Sequence, residues 1–198
     1  MFRRLIIALA AIVAALALAP TTLAALVHVR VEGKTVTLFG PANPIVSATT
    51  PMEALESASL AGEFYYHVTT ASFGPYVDQI GRYPAAGTAG WVFKVNGVSP
   101  PVGADKVALK DGDNVLWYYA DFGSGSGPPT LVLSRTAANC YRATGQDDQG
   151  QSKVPPGTAF HVGARTISAP AGRVCLTRPH VGLVWATAPG AVRSNRLP

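Results

Sequence analysis

Apolar and polar positions alternate with a period of two along most of this chain, the pattern of strands with one buried face. Val27, Val29 and Val31 share a face, as do Val36 and Leu38, and the turn Glu32-Gly33-Lys34 between them predicts a hairpin. Phe64, Tyr66 and Val68 alternate against Tyr65 and His67. Trp91, Phe93 and Val95 alternate with Val92, Lys94 and Asn96, and Val115, Trp117 and Tyr119 repeat the pattern further on. Asn96-Gly97 and Asp111-Gly112 follow apolar segments in both cases. Such dipeptides adopt positive φ at little cost, so each predicts a tight reversal.

One segment breaks the period. Thr50-Pro51-Met52-Glu53 joins a capping hydroxyl, proline at the first helical position and glutamate three residues after the cap. A helix of about eleven residues is expected from there to Gly62, where glycine is free to take the left-handed stop. Met52, Leu55 and Ser59 share one side of it. The order strand, strand, helix, strand, strand, strand predicts an α+β module with one helix on a mixed or antiparallel sheet, the layering of a β-grasp-like domain.

Composition shifts abruptly at Phe122-Gly123-Ser124-Gly125-Ser126-Gly127-Pro128-Pro129. Gly-Ser repeats form a flexible coil and the proline pair stiffens its exit. Residues 123–129 therefore read as a linker between a domain at 25–122 and a second at 130–198. In the second, Leu131-Val132-Leu133, Ala159 to Val162, Arg173 to Leu176 and Val181 to Ala186 are short strand candidates separated by Pro/Gly turns. They predict a small all-β, sandwich-like module.

The start of the chain adds a targeting reading. Met1-Phe2-Arg3-Arg4 is basic, Leu5 to Ala19 is an apolar run of 15 residues, and Thr22-Leu23-Ala24 is a small-x-small site. Residues 1–24 are expected to be a signal peptide cut between Ala24 and Ala25. Fifteen residues are fewer than the roughly 18–20 that span a bilayer. The product is expected to be secreted or held at the cell surface, meeting the membrane only during export. In that setting the two cysteines, Cys140 and Cys175, are most simply a disulfide. Closing that loop would stabilise by ~3–4 kcal/mol on the chain-entropy model.

The full chain of 198 residues carries 16 basic and 11 acidic side chains, a formal charge of +5 without any basic stripe. Nucleic acid is therefore not an expected partner. His28, His67, His161 and His180 lack ligand spacing, so no metal site is expected. Asp147-Asp148 reads as a solvated turn tip, and Asp111 and Asp113 as turn formers. No nucleophile or paired acid stands out, so catalysis is not expected. Large aromatics, however, fall on both faces of a thin sheet, which one helix cannot cover. Tyr65, Tyr76 and Tyr118 are the candidates for an exposed or interfacial binding surface, with Trp91 and Phe93 beside them.

A family resemblance rests on the capped helix with Met52-Glu53-Ala54-Leu55, Phe73-Gly74-x-Tyr76-x-x-x-Ile80-Gly81, Gly90-Trp91-x-x-x-Val95-Asn96-Gly97, Val102-Gly103-Ala104 and Leu109-Lys110-Asp111-Gly112-Asp113. In that order they resemble an exported bacterial domain of unknown function (DUF4430-like) related to the C-terminal β-domain of transcobalamin and intrinsic factor. The resemblance covers Leu26 to Phe122. It implies a β-grasp-like, non-enzymatic binding module whose ligand side lies near Tyr76 and Trp91. Relatives close this domain over cobalamin held by a helical domain that is not found in this chain. A corrinoid is thus implied only through a partner; a small molecule, a glycan or a surface protein are the other expected ligands. Trp185 to Ser194 resembles the last strand of bacterial Ig-like or carboxypeptidase-regulatory-like modules, which usually act as spacers or stabilisers. The alternative to a binding module is accordingly a structural or adhesive protein without a ligand pocket.

Overall fold

The computed structural model describes residues 23–198. Apart from Leu23 and Ala24, the expected signal peptide lies outside the described residues. Those residues form one helix and fifteen strands, with 46% of the structure in strand, an α+β chain dominated by β-sheet. The N-terminal half contains β1 (Ala25–Glu32), β2 (Thr37–Phe39), β3 (Ile45–Ala48), α1 (Pro51–Gly62), β4 (Tyr66–Ala71), β5 (Gly74–Ile80), β6 (Tyr83–Pro84), β7 (Ala89–Val95) and β8 (Asn114–Asp121). The C-terminal half contains β9 (Thr130–Ala137), β10 (Cys140–Gln146), β11 (Ser152–Lys153), β12 (Ala159–Val162), β13 (Arg165–Ser168), β14 (Arg173–Cys175) and β15 (Val184–Thr187).

The main sheet runs β2-β1-β8-β7, with β3 also pairing β1. Its centre is the parallel pair of β1 and β8, in which Val29 faces Val115 and Val31 faces Trp117. Strands β4, β5 and β6 form a separate three-stranded sheet. The Asn-Gly and Asp-Gly signals act differently from two local hairpins. Asn96 (φ 52°) and Gly97 (φ 83°) do make the tight turn, closing Val95 against Val98. The chain then leaves the sheet, and β7 instead pairs antiparallel with β8, Trp91 opposite Tyr119 and Val95 opposite Val115. Residues 107–110 are not a strand, because Leu109 donates its N–H to Thr49 and so belongs to the approach to the helix.

The helix begins as its motif requires. Thr50 is extended, and its side chain accepts from the Glu53 N–H at 3.2 Å. The return bond is displaced by one residue: Glu53 Oε2 accepts from the N–H of Thr49 at 2.7 Å, and also from its hydroxyl. These bonds hold the Glu53 carboxyl below the usual range, the hydroxyl contributing most. Glu63, at φ 51°, takes the left-handed cap rather than Gly62. Gly62 is needed for space instead, since a Cβ there would lie 2.6 Å from the Phe39 ring. Pro51, Ala54, Leu55 and Ala58 are the buried helical residues, the last three packed in the core with Val27, Val29, Val31 and Trp117. Burial of each such valine or leucine contributes roughly 1.5–3 kcal/mol.

The second core joins Leu131, Leu133, Tyr141 and Ala143 to Phe160, Val162, Val184 and Ala186. The first set comes from the sheet of β9, β10, β11 and β14, the second from β13-β12-β15. Cys140 and Cys175 are cross-strand partners in β10 and β14 and form a disulfide spanning 35 positions.

These halves are not left to swing on a free linker. The main-sheet face opposite the helix carries Arg30, Glu32, Lys94 and Tyr118, all at most 5% exposed. Arg30 Nη1 donates to Glu32 Oε1 at 3.1 Å and to the Arg193 carbonyl at 2.7 Å. Arg193 returns two bonds to Glu32 Oε2, at 2.8 and 3.0 Å. Lys94 Nζ donates to Thr130 Oγ1 and to the carbonyls of Gln146 and Asp147. Such directional, desolvated contacts hold the two halves in one register.

Candidate functional site

An aromatic-lined cavity of about 760 Å³ opens beside β7, at the edge of the main sheet. One wall is β5 with Pro75, Tyr76 and Val77, preceded by Phe73. The floor is Trp91, Val92 and Phe93 of β7, with Trp117 and Tyr118 of β8 behind. The opposite wall is the segment Ser99 to Lys106, which contains Pro100, Pro101 and Val102. The second module contributes Asp148.

Local structure explains the placement of each group. Trp91 is 2% exposed, and its indole N–H donates to the Tyr83 carbonyl at 2.7 Å. Trp117 Nε1 donates to the Pro51 carbonyl at 3.0 Å, so both indole donors are satisfied within the protein. Phe93 packs on Trp117 with centroids 5.3 Å apart. Tyr76 lays its hydroxyl against Gly90, where a Cβ would come within 2.5 Å of it. Burial raises the Tyr76 phenol above its usual value, with Asp78 adding to the effect. The wall at 99–106 is held by the helix start, where Met52 N–H donates to the Ala104 carbonyl.

Four of the five aromatics expected from the sequence, Tyr76, Trp91, Phe93 and Tyr118, meet in this cleft. Tyr65 does not; it is 58% exposed, and its carbonyl accepts from Gly81 instead. Of the two expected settings for Tyr118, exposed or interfacial, it takes the second: it is 1% exposed, with Asp148 of the second module nearby. Its phenol is pushed well up, by burial first and then by Asp148. Phe73, Phe122, the 99–106 wall and Asp148 were missed by sequence reasoning. The Phe-Gly-Pro-Tyr run was the available signal for the first wall, and the paired prolines for its opposite.

Asp147 is the exposed turn residue expected, its Oδ1 accepting from the N–H groups of Gln149 and Gln151, but Asp148 docks the loop rather than standing free in solvent. Asp148 accepts from Ser99 twice, through its carbonyl at 2.8 Å and Oδ1 at 3.0 Å, and Lys94 Nζ lies 3.7 Å from Oδ1. Burial lowers the Lys94 ammonium below its usual value, with Asp148 and Asp147 opposing. At the rim, the exposed Lys106 Nζ lies 2.7 Å from Asp105 Oδ2. Among the described residues no three His, Cys, Asp or Glu side chains gather as a metal site would require. The arrangement is an apolar-walled cavity with a volume in the range of small-ligand sites.

Residues 48–121 match the family model described as a domain of unknown function, DUF4430. The N-terminal half therefore carries a DUF4430-like domain, and the cleft is built almost entirely from it. The chain is also similar to a crystal structure, at 1.30 Å, of a candidate metal-binding protein from Ruminococcus gnavus ATCC 29149. The identity is 16% and the TM-score 0.36, covering 49% of this chain and 97% of that one. No curated protein matches the chain.

Proposed function

We propose that this is an exported, non-catalytic binding protein whose ligand occupies the cleft between β5, β7 and residues 99–106. The observation that carries the reading is the convergence of Tyr76, Trp91, Phe93 and Tyr118 on one cavity of about 760 Å³. A disulfide at Cys140–Cys175 supports the export reading of residues 1–24. Among the described residues no helix is long and apolar enough to cross a membrane. We read the first domain as β-grasp-like, since its central parallel pair lies under a single helix, and the second as an Ig-like spacer. In the cleft the indole donors, Ser99, Asp148 and Lys106 are already engaged, which supports binding over catalysis.

The ligand classes in view are a small apolar molecule, a glycan or a partner protein, with a corrinoid reached through a partner. Tryptophan emission during titration with cobalamin, a glycan panel and a panel of apolar peptides tests the reading. Saturable quenching that Tyr76→Ala reduces at least tenfold in affinity is expected. A flat response to every class would leave the alternative, a structural or adhesive protein without a ligand.

A further inference from the structure

The edge of β7 inside the cleft has a pairing pattern that the cavity alone does not reveal. Asn96 donates to the Asn114 carbonyl at 2.9 Å, and Phe122 to the Thr88 carbonyl at 3.0 Å. Both bonds obey the β7–β8 register, in which Trp91 faces Tyr119 and Phe93 faces Trp117. Hydrogen-bonded pairs alternate along an antiparallel ladder. The even residues of β7 therefore turn their N–H and C=O toward β8, and the odd residues turn theirs outward.

Two outward residues are already paired by turns. Ala89 exchanges two bonds with Ala86, and Val95 exchanges two with Val98. Between them stand Trp91 and Phe93. The Tyr76 hydroxyl reaches the Trp91 backbone. Among the described residues no other segment pairs with the main chain of Phe93.

An apolar edge strand is usually protected by charges, proline or a bulge. This one is recessed instead. Phe73 on one wall, Val102 on the other and Phe122 nearby stay 77%, 49% and 36% exposed. Resting on the cleft reading above, we propose that the occupant is an extended, uncharged segment of a partner protein, added antiparallel to β7. Main-chain bonds at Phe93 and to the Trp91 carbonyl set its register, and alternate apolar side chains contact Phe73 and Val102. Only another extended main chain offers a donor and an acceptor at the repeat of β7, about 6.8 Å per two residues. Among the described residues Lys106 and Asp148 are the only charged side chains lining the cleft, one of each sign and each within 3.7 Å of an opposite charge, so the cleft favours an uncharged segment over a charged one. Strand addition of this kind draws affinity from main-chain bonds and specificity from alternate side-chain pockets.

The test is amide NMR of the intact ¹⁵N-labelled protein, titrated with a panel of capped seven-residue peptides alternating threonine with valine or phenylalanine. Each is paired with a copy N-methylated at alternate positions on its pairing edge. The expected result is a shift of the Trp91 and Phe93 amides and at least tenfold slower solvent exchange of the Phe93 amide. The N-methylated copy should bind at least tenfold more weakly. Equal binding by both copies, or no binding by any peptide, overturns the proposal. Protection of Phe93 that rises with protein concentration and needs no peptide also overturns it, in favour of a second copy at the edge. If cobalamin or a glycan quenches tryptophan while every peptide fails, this inference falls and the cleft reading stands. Silence from all ligands sinks both.

Discussion

The two faces of the main sheet are buried to the same degree by opposite chemistry. Toward the helix lie Val27, Val29, Val31 and Trp117, at most 2% exposed. Toward the second module lie Arg30, Glu32 and Lys94, at most 5% exposed. Burying hydrocarbon is favourable in nearly any orientation, so the first face mainly contributes stability. Burying charge is tolerated only when each group finds its partner, so the second face sets geometry. The cleft lies where the two meet, at the open edge of β7, with apolar walls and a charged loop fastened at one rim.

The comparison is broken most severely at Glu32. Glu32→Ala leaves Arg30 and Arg193 buried or half-buried without their shared carboxylate. A loss of about 3–5 kcal/mol is expected, read from urea unfolding. A loss under 1 kcal/mol would show that the polar face is not the fastening described. On the apolar face, Leu55→Ala removes a fully buried side chain and should cost about 2–5 kcal/mol by the same measurement. It should leave the relative position of the modules unchanged, as small-angle scattering would show, whereas Glu32→Ala should shift it.

The smallest expected effect is a pH dependence at the helix start. The carboxyl of Glu53 titrates lower in the folded chain than in the unfolded one. The folded state therefore binds fewer protons, and the stabilisation present above the ordinary glutamate value is lost as pH falls through the folded value. Because Glu53 is largely exposed, a few tenths of a kcal/mol at most is expected. Glu53→Gln should flatten the unfolding curve in that acid window. An unchanged slope would mean that the Thr49 bonds do not favour the ionised form.

Much of the local structure was legible. Val27, Val29 and Val31 alternate because one side meets hydrocarbon, and Thr50 caps the helix because its hydroxyl accepts the N–H that the helix leaves unpaired. Strands β3, β10 and β13 were not legible. In Ile45–Ala48 and Arg165–Ser168 the alternation is weak, and β10 is interrupted by small and polar residues such as Ala143 and Gly145. The site was half legible. Aromatic side chains announce themselves, but Asp148 looks like any turn carboxylate until Ser99 and Lys94 are brought to it.

By itself the sequence determined the strand alternation, the capped helix, the change of composition at 123–129, the cysteine pair and the aromatic richness around β7. Those features depend on neighbours a few residues away, where φ/ψ preference and side-chain period act directly. Tertiary structure alone decided that β7 pairs with β8 beyond a turn that suggested a local hairpin. It also decided that Lys94 and Tyr118 are buried, and that the edge at Phe93 faces a cleft. Each of these joins residues at least 20 positions apart, as Val95 and Val115 are, or depends on a second module covering a face that alternation leaves polar. Only the assembled sheets can supply the partners that make buried charge affordable and an open strand edge specific.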